Sequence, residues 1–259
     1  MSNNIRNKTI LKAAGIAVFT ALFCTGCYDL GLEPSVKPPK IETFVDIRDG
    51  KEYKKVQIGD QIWMAENLNY AAEGSVCYGE GNSSGQDRFY VPEFVNNAWA
   101  ARYLTPSEIC DIYGGRLYDW NTAMNNESGS SADPSGVEGV CPVGWHLPSN
   151  AEWEKLINYV GEHAWTKLQS HDFLRSGYKP EGTDLYNFSA LPAGYGHGAR
   201  TDQILYTGLG NINSAGYWWT STEKETDDKE AWVLSEAMAV RWRSWDKHTY
   251  FLSVRCVHD

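Results

Sequence analysis

Eleven tryptophans punctuate the chain from Trp63 to Trp245, and none comes earlier. With 15 tyrosines and 8 phenylalanines, they bring aromatic residues to 13% of the 259. A chain so rich in large rings must either close a large core over them or turn some of them outward as a binding face. Charged residues make up 22% and hydrophobic residues 42%, the balance of a folded globular protein rather than a disordered one. The length allows one or two domains. A net charge of -10 argues against a sequence-independent grip on nucleic acid, which needs a basic face. It argues equally against electrostatic attraction to an anionic membrane.

The first thirty residues read as an address. Arg6, Lys8 and Lys12 form a basic start with no acidic residue, and Ala13 to Phe23 is an uncharged apolar run. That pattern is a secretory signal, too short for a confident spanning helix. Thr25-Gly26-Cys27 resembles the bacterial lipobox, with cleavage before Cys27 and lipid on its thiol; Cys24 stands where that pattern usually has Leu. Ordinary cleavage, leaving Cys27 as a spare thiol, is the alternative. Residues 1–26 are thus the expected signal peptide. Residues 27–42, with Pro34, Pro38 and Pro39, are the lipidated cysteine and an extended tether. Cleavage removes three basic residues and no acidic one, so 20 basic against 33 acidic residues leave the exported part at -13. The expected location is the bacterial envelope, at the outer membrane, with membrane contact only through the lipid.

Four cysteines remain beyond the signal: Cys77, Cys110, Cys141 and Cys256. In an exported domain they suggest two disulfides, with three possible connectivities. None forms a C-x-x-C pair there, which disfavours zinc knuckles and thioredoxin-like chemistry.

Local signals predict several elements. Asp49-Gly50 and Gly59-Asp60 separate three alternating runs ending at Gln61–Met64, a three-stranded antiparallel meander. Residues 71–100, rich in Gly, Ser and Asn, read as irregular. Thr105-Pro106-Ser107-Glu108 starts a short helix that ends near Gly114-Gly115. Residues 125–139 read as a surface loop. Ser149 and Glu152 form a capping box ahead of Trp153, Leu156, Ile157 and Val160, one apolar stripe stopped by Gly161. Strands are expected at 217–221, 231–234 and 251–257, with glycine-rich connections over 194–216.

Several segments, taken in order, carry a family resemblance: Asp46–Tyr53, Trp63–Tyr70, Gly115–Trp120, Cys141–Ser149, Phe188–Gly194, Tyr217–Glu223 and Ser253–Val257. Together they resemble the Fibrobacter succinogenes major paralogous domain, over residues 43–259. That family is similar to the C-type-lectin-like fold, so the resemblance implies an α+β domain with short helices and small antiparallel sheets. In lectin-like folds a bridge commonly ties the first helix region to the last strand. The resemblance therefore implies the pair Cys141–Cys256, and with it Cys77–Cys110. It also implies that Trp145, Trp153, Trp218 and Trp219 are core rings. It implies no activity, because fold is a poor guide to chemistry.

No catalytic constellation is evident. The six histidines show no metal spacing, and neither a nucleophile elbow nor a phosphate loop is present. His146 reads as a hydrogen-bonded structural residue. The Glu-Pro-Asn and Trp-Asn-Asp motifs of calcium-dependent lectins are missing, and Cys256 lacks the partner that formylglycine chemistry needs. No cofactor and no metal are expected, and an enzyme is the least favoured class. The acidic run 223–230 reads as a solvated loop. What remains is an aromatic face in which Trp242 and Trp245, with Trp99 as a further candidate, stack on sugar rings. Arg243, Asp246 and Lys247 would supply hydrogen bonds. The expected function is a lipid-anchored surface binding or adhesion module that recognises polysaccharide without calcium. The alternative is a structural protein that contacts other envelope proteins.

Overall fold

The computed structural model describes residues 37–259, apart from 78–89, 96–97, 104, 114, 171–181, 201–203, 211–214, 227–229 and 237–239. The proposed signal peptide and Cys27 lie outside the described residues.

The described part opens with strands β1 (Ile41–Val45), β2 (Glu52–Ile58) and β3 (Gln61–Met64), followed by β4 (Tyr90–Val95) and β5 (Ala98–Tyr103). Helices α1 (Pro106–Tyr113) and α2 (Trp120–Met124) follow, then β6 (Trp145–His146), α3 (Asn150–Val160) and α4 (Ala164–Leu168). The last part is β7 (Tyr195–Arg200), β8 (Ile204–Gly210), β9 (Gly216–Glu223), β10 (Glu230–Glu236), β11 (Val240–Asp246), β12 (Tyr250–Phe251) and β13 (Val257–His258). Mixed α and β content with small antiparallel sheets and few short helices is thus observed. The largest sheet has the order β1-β2-β3-β13-β6. The final strand is therefore inserted beside the opening meander, and the two ends of the domain share one sheet. Beside it stand sheets β11-β10-β9 and β12-β7-β8 and the hairpin β4-β5.

Local capping chemistry sets the helix starts. Thr105 N and Oγ1 donate to the Glu108 carboxylate ahead of α1. At α3 the Ser149 hydroxyl accepts from Glu152 N while the Glu152 carboxylate accepts from Ser149 N, the reciprocal box expected there. Trp153, Leu156 and Val160 are buried, and Ile157 is half-buried at the edge of the stripe. Gly161 has φ 74° but ψ -149°, so the helix ends in an extended conformation open to glycine and not in the left-handed helical turn.

Three expectations are corrected. Residues 71–100 are not irregular throughout, because β4 pairs with β5 from Tyr90↔Tyr103 to Val95↔Ala98. The stretch 194–216 holds the β7–β8 hairpin, although Gly196, Gly198, Gly208 and Gly210 stand within it. Glycine is depleted in strands, so composition points the wrong way where a ladder tolerates it. Residues 251–257 are broken into β12 and β13, because the whole run Phe251–Val257 is buried and bends to serve different sheets. The segment that holds Trp242 and Trp245 is a regular strand, β11, paired to β10 over seven positions. Helices α2 and α4, each of five residues, are too short to leave a periodic signal.

The core is aromatic. Trp63, Trp153, Trp218 and Trp219 are all essentially inaccessible, and Trp63 and Trp153 lie 4.5 Å apart by ring centroid. The indole N–H groups of Trp218 and Trp219 find partners inside, Asn67 Oδ1 at 2.8 Å and Tyr118 O at 2.8 Å, whereas the buried Nε1 of Trp153 has none among the described residues. Arg255 is buried with them, donating to Asn67 Oδ1 and to the carbonyls of Phe188 and Ser189. Burial drives its pKa down to about 9, against the pull of Asp184 and Glu66. Disulfides Cys77–Cys110 and Cys141–Cys256 close the domain. The second spans 115 residues and fastens the segment before β6 to the segment before β13, strands that pair directly.

Candidate functional site

The β1–β2 connection is not a two-residue Asp-Gly turn. Asp46 N donates to Lys51 O and Gly50 N to Asp46 O, both at 2.8 Å, closing a six-residue loop over 46–51. A buried carboxylate organises it. Asp46 accepts from Arg48 N at 3.0 Å, from Arg48 Nε at 2.9 and 3.1 Å, and from Nη2 at 2.6 Å. Burial alone would raise the Asp46 pKa, but these bonds and the Arg48 charge hold it below the usual carboxylate range. Arg48 then reaches across the fold. Its Nη1 donates to Val140 O at 2.9 Å and Cys141 O at 3.0 Å, and its guanidinium lies 3.9 Å from the Tyr70 ring centroid.

Helix α2 supplies the facing wall. Asp119 caps it by accepting from Thr122 N at 2.6 Å. The helix ends in two consecutive left-handed asparagines, Asn125 at φ 50° and Asn126 at φ 61°. Asparagine tolerates this region better than other non-glycine residues. Segment 138–140 is tied to the helix by Val140 N to Ala123 O, and by Gly139 N to the Glu127 carboxylate, both at 2.9 Å. A Cβ at Gly139 would sit 2.4 Å from Ala123 O, so only glycine permits this approach.

Between these walls lies an open cleft of about 560 Å³, lined by Arg48, Tyr70, Glu73, Asn121, Asn125, Asn126 and Glu138 among others. Among the described residues, the side chains of Glu73, Asn125, Asn126 and Glu138 make no hydrogen bond or ion pair, while Asn121 meets His248 Nδ1 at 3.2 Å. A second cleft, of about 430 Å³, lies against β2 and residues 65–69. Most of its polar groups are already paired: Lys51 Nζ with Asn69 O, Asn69 Nδ2 with Asp111 at 2.8 Å, and Lys54 with Glu66 at 3.8 Å, which leaves Glu52 as the exception among the described residues. The larger cleft is therefore the better candidate for binding.

The aromatic residues singled out from sequence do not form one face. Trp242 and Trp245 are three residues apart on β11, and such positions point to opposite sides of a strand. Trp245 packs inward, with Tyr250, Tyr217 and Tyr195 at 4.5, 4.7 and 4.9 Å. Lys247 is only 5% exposed; its ammonium lies 3.2 Å from Glu223 and 4.2 Å from the Trp120 ring centroid. The Asp246 carboxylate accepts from His248 N and Thr249 N, both at 2.9 Å, and so closes the β11–β12 turn. Burial would raise its pKa, but these amides hold it low. Of the five residues proposed, Arg243 alone is exposed. Trp99 stands in β5, and its side chain lies outside the described residues. The acidic run is not free throughout, since Glu223 is the partner of Lys247.

His146 is enclosed between two carboxylates, Nε2 to Glu152 Oε1 at 2.5 Å and Nδ1 to Asp259 Oδ1 at 2.7 Å. Among the described residues no three or more His, Cys, Asp or Glu side chains converge as a metal site, and no helix is long and apolar enough to cross a membrane.

The family model of the Fibrobacter succinogenes major domain matches residues 56–258. The chain belongs to this family. No curated protein and no solved structure matches the chain. In this major-domain chain, Tyr70, Asn121, Asn125 and Asn126 of the cleft lie within the matched residues, and Arg48 lies ahead of them. The pairs Asp46-x-Arg48 and Asn125-Asn126 were the signals available in the sequence, yet neither says that the two segments face each other.

Proposed function

We propose that this domain is a calcium-independent binding module that takes a sugar polymer in the cleft above α2, displayed at the cell surface by lipid on Cys27. One observation carries the reading: Glu73, Asn125, Asn126 and Glu138 line an open cleft with side chains that no neighbour among the described residues engages. Sugar hydroxyls donate and accept at once, and an amide does the same. The asparagine backbone is already set by α2 and its cap, so little ordering cost remains for binding. Binding is favoured over catalysis because Glu73 and Glu138 both stand exposed in an open cleft, where nothing excludes water from a reacting group. The lectin-like comparison belongs to the same reading. It is supported by the two ends of the domain sharing one sheet and by the Cys141–Cys256 closure.

Retention of the full chain on insoluble polysaccharides, with Asn126→Ala and Asn121→Ala compared, tests the site. Weaker retention of the variants is expected, and equal retention sinks the assignment. Replacing Cys27 with Ser should abolish lipid labelling and release the chain from membranes; labelling that survives removes the anchor. The second reading, a structural envelope protein, draws on exposed apolar residues, with Ile47 at 83% and Val143 at 68%. Envelope crosslinking that depends on Ile47 and Val143 would favour it.

A further inference from the structure

The cleft is electrostatically one-sided. Arg48 is the one Lys or Arg among the residues lining it. Four of its five N–H donors are already used: Nε and one Nη2 hydrogen serve Asp46, and Nη1 serves the carbonyls of Val140 and Cys141. Its positive charge is matched by a carboxylate with no exposed surface, 2.6 Å away. One guanidinium face is turned to Tyr70. The same cleft is lined by Glu73 and Glu138, both exposed and with no cation paired to either among the described residues.

This arrangement sorts ligands by charge. A polymer of uronic acids or sulfated sugars would bring anions beside two carboxylates and find only a guanidinium already neutralised by Asp46, with one N–H left to offer. A neutral polymer would gain only the amide contacts. A protonated amino group could donate charge-assisted hydrogen bonds to either glutamate while neighbouring hydroxyls meet Asn125 and Asn126. We propose that the cleft selects an amine-bearing glycan, a hexosamine polymer with free amino groups, over neutral and acidic polymers. This rests on the cleft being the sugar site. A lysine-rich peptide carries the same cation, but on a flexible stem and without the vicinal hydroxyls that suit paired amides.

The full chain in detergent is titrated with labelled hexamers of glucosamine, N-acetylglucosamine and galacturonic acid, and with a lysine-rich peptide. The glucosamine hexamer is expected to bind most tightly. Its advantage over the N-acetylated hexamer should shrink as salt rises, since exposed charge pairs are screened. Changing Glu73 or Glu138 to Gln should cut that advantage by about two- to fivefold each, the range of exposed ion pairs. An advantage that is absent, or that survives Glu73→Gln with Glu138→Gln, overturns the inference while leaving a sugar site in place. Tighter binding of the peptide overturns it in favour of a protein ligand. Binding of no hexamer overturns the inference and the proposed function together.

Discussion

Removing the His146 imidazole should be among the most damaging single changes in this domain. The ring is 1% exposed and joins the first turn of α3 to the chain beside β13. Glu152 is 2% exposed; its Oε2 accepts from Ser149 N at 2.9 Å and Ser135 N at 3.1 Å, while among the described residues Oε1 is held by His146 alone. His146→Gln therefore strips the cationic partner from a buried carboxylate. Breaking a buried charge pair from one side costs about 3–5 kcal/mol. Asp259 adds little, because its side chain is 61% exposed. At about 2–4 °C per kcal/mol for a domain of this size, the melting temperature should fall by roughly 6–20 °C.

The same site makes stability depend on pH. Burial would lower the His146 pKa, but the hydrogen bonds and charges of Glu152 and Asp259 outweigh it and raise it above the ordinary 6.5. The folded state therefore holds the proton more tightly than the unfolded chain. The contribution is complete below pH 6.5 and is lost as pH rises through the raised folded value. Urea unfolding followed by tryptophan fluorescence, from pH 5.5 to 9, reads both effects. The wild type should lose stability toward alkaline pH, and His146→Gln should be weaker and flatter there. A variant that unfolds within about 1 kcal/mol of wild type, or keeps the wild-type slope, refutes the reasoning.

Three further outcomes are expected. Replacing Cys141 and Cys256 together by Ser should cost about 4–5 kcal/mol, the chain-entropy value for the 115-residue interval; the urea midpoint checks it. Gly115→Ala should destabilise by at least about 1–3 kcal/mol, because φ is +100° and the new Cβ would lie 2.4 Å from Leu68 O; thermal melting measures it. Asp46→Asn should leave the Arg48 charge uncompensated, so a galacturonate hexamer binds more tightly than to wild type, which isothermal titration detects.

What could be seen in the sequence was what short-range physics decides. The Thr105–Glu108 and Ser149–Glu152 caps act within one helical turn, so the starts of α1 and α3 were legible residue by residue. The opening meander was legible because its alternation has a period of two. The disulfide pairing became legible only through family resemblance, since spacing left three choices open. The cleft was not legible. Arg48 and Val140 are 92 positions apart, and they meet because a buried Asp46 aims the guanidinium across the fold. Trp242 and Trp245 looked like one face because both are indoles among polar neighbours. Only pairing to β10 revealed a strand that sends them to opposite sides. The eleven tryptophans by themselves called for a large core, because so much apolar surface must leave water. Which polar groups were left over to face a ligand depended on which partners tertiary packing had already supplied.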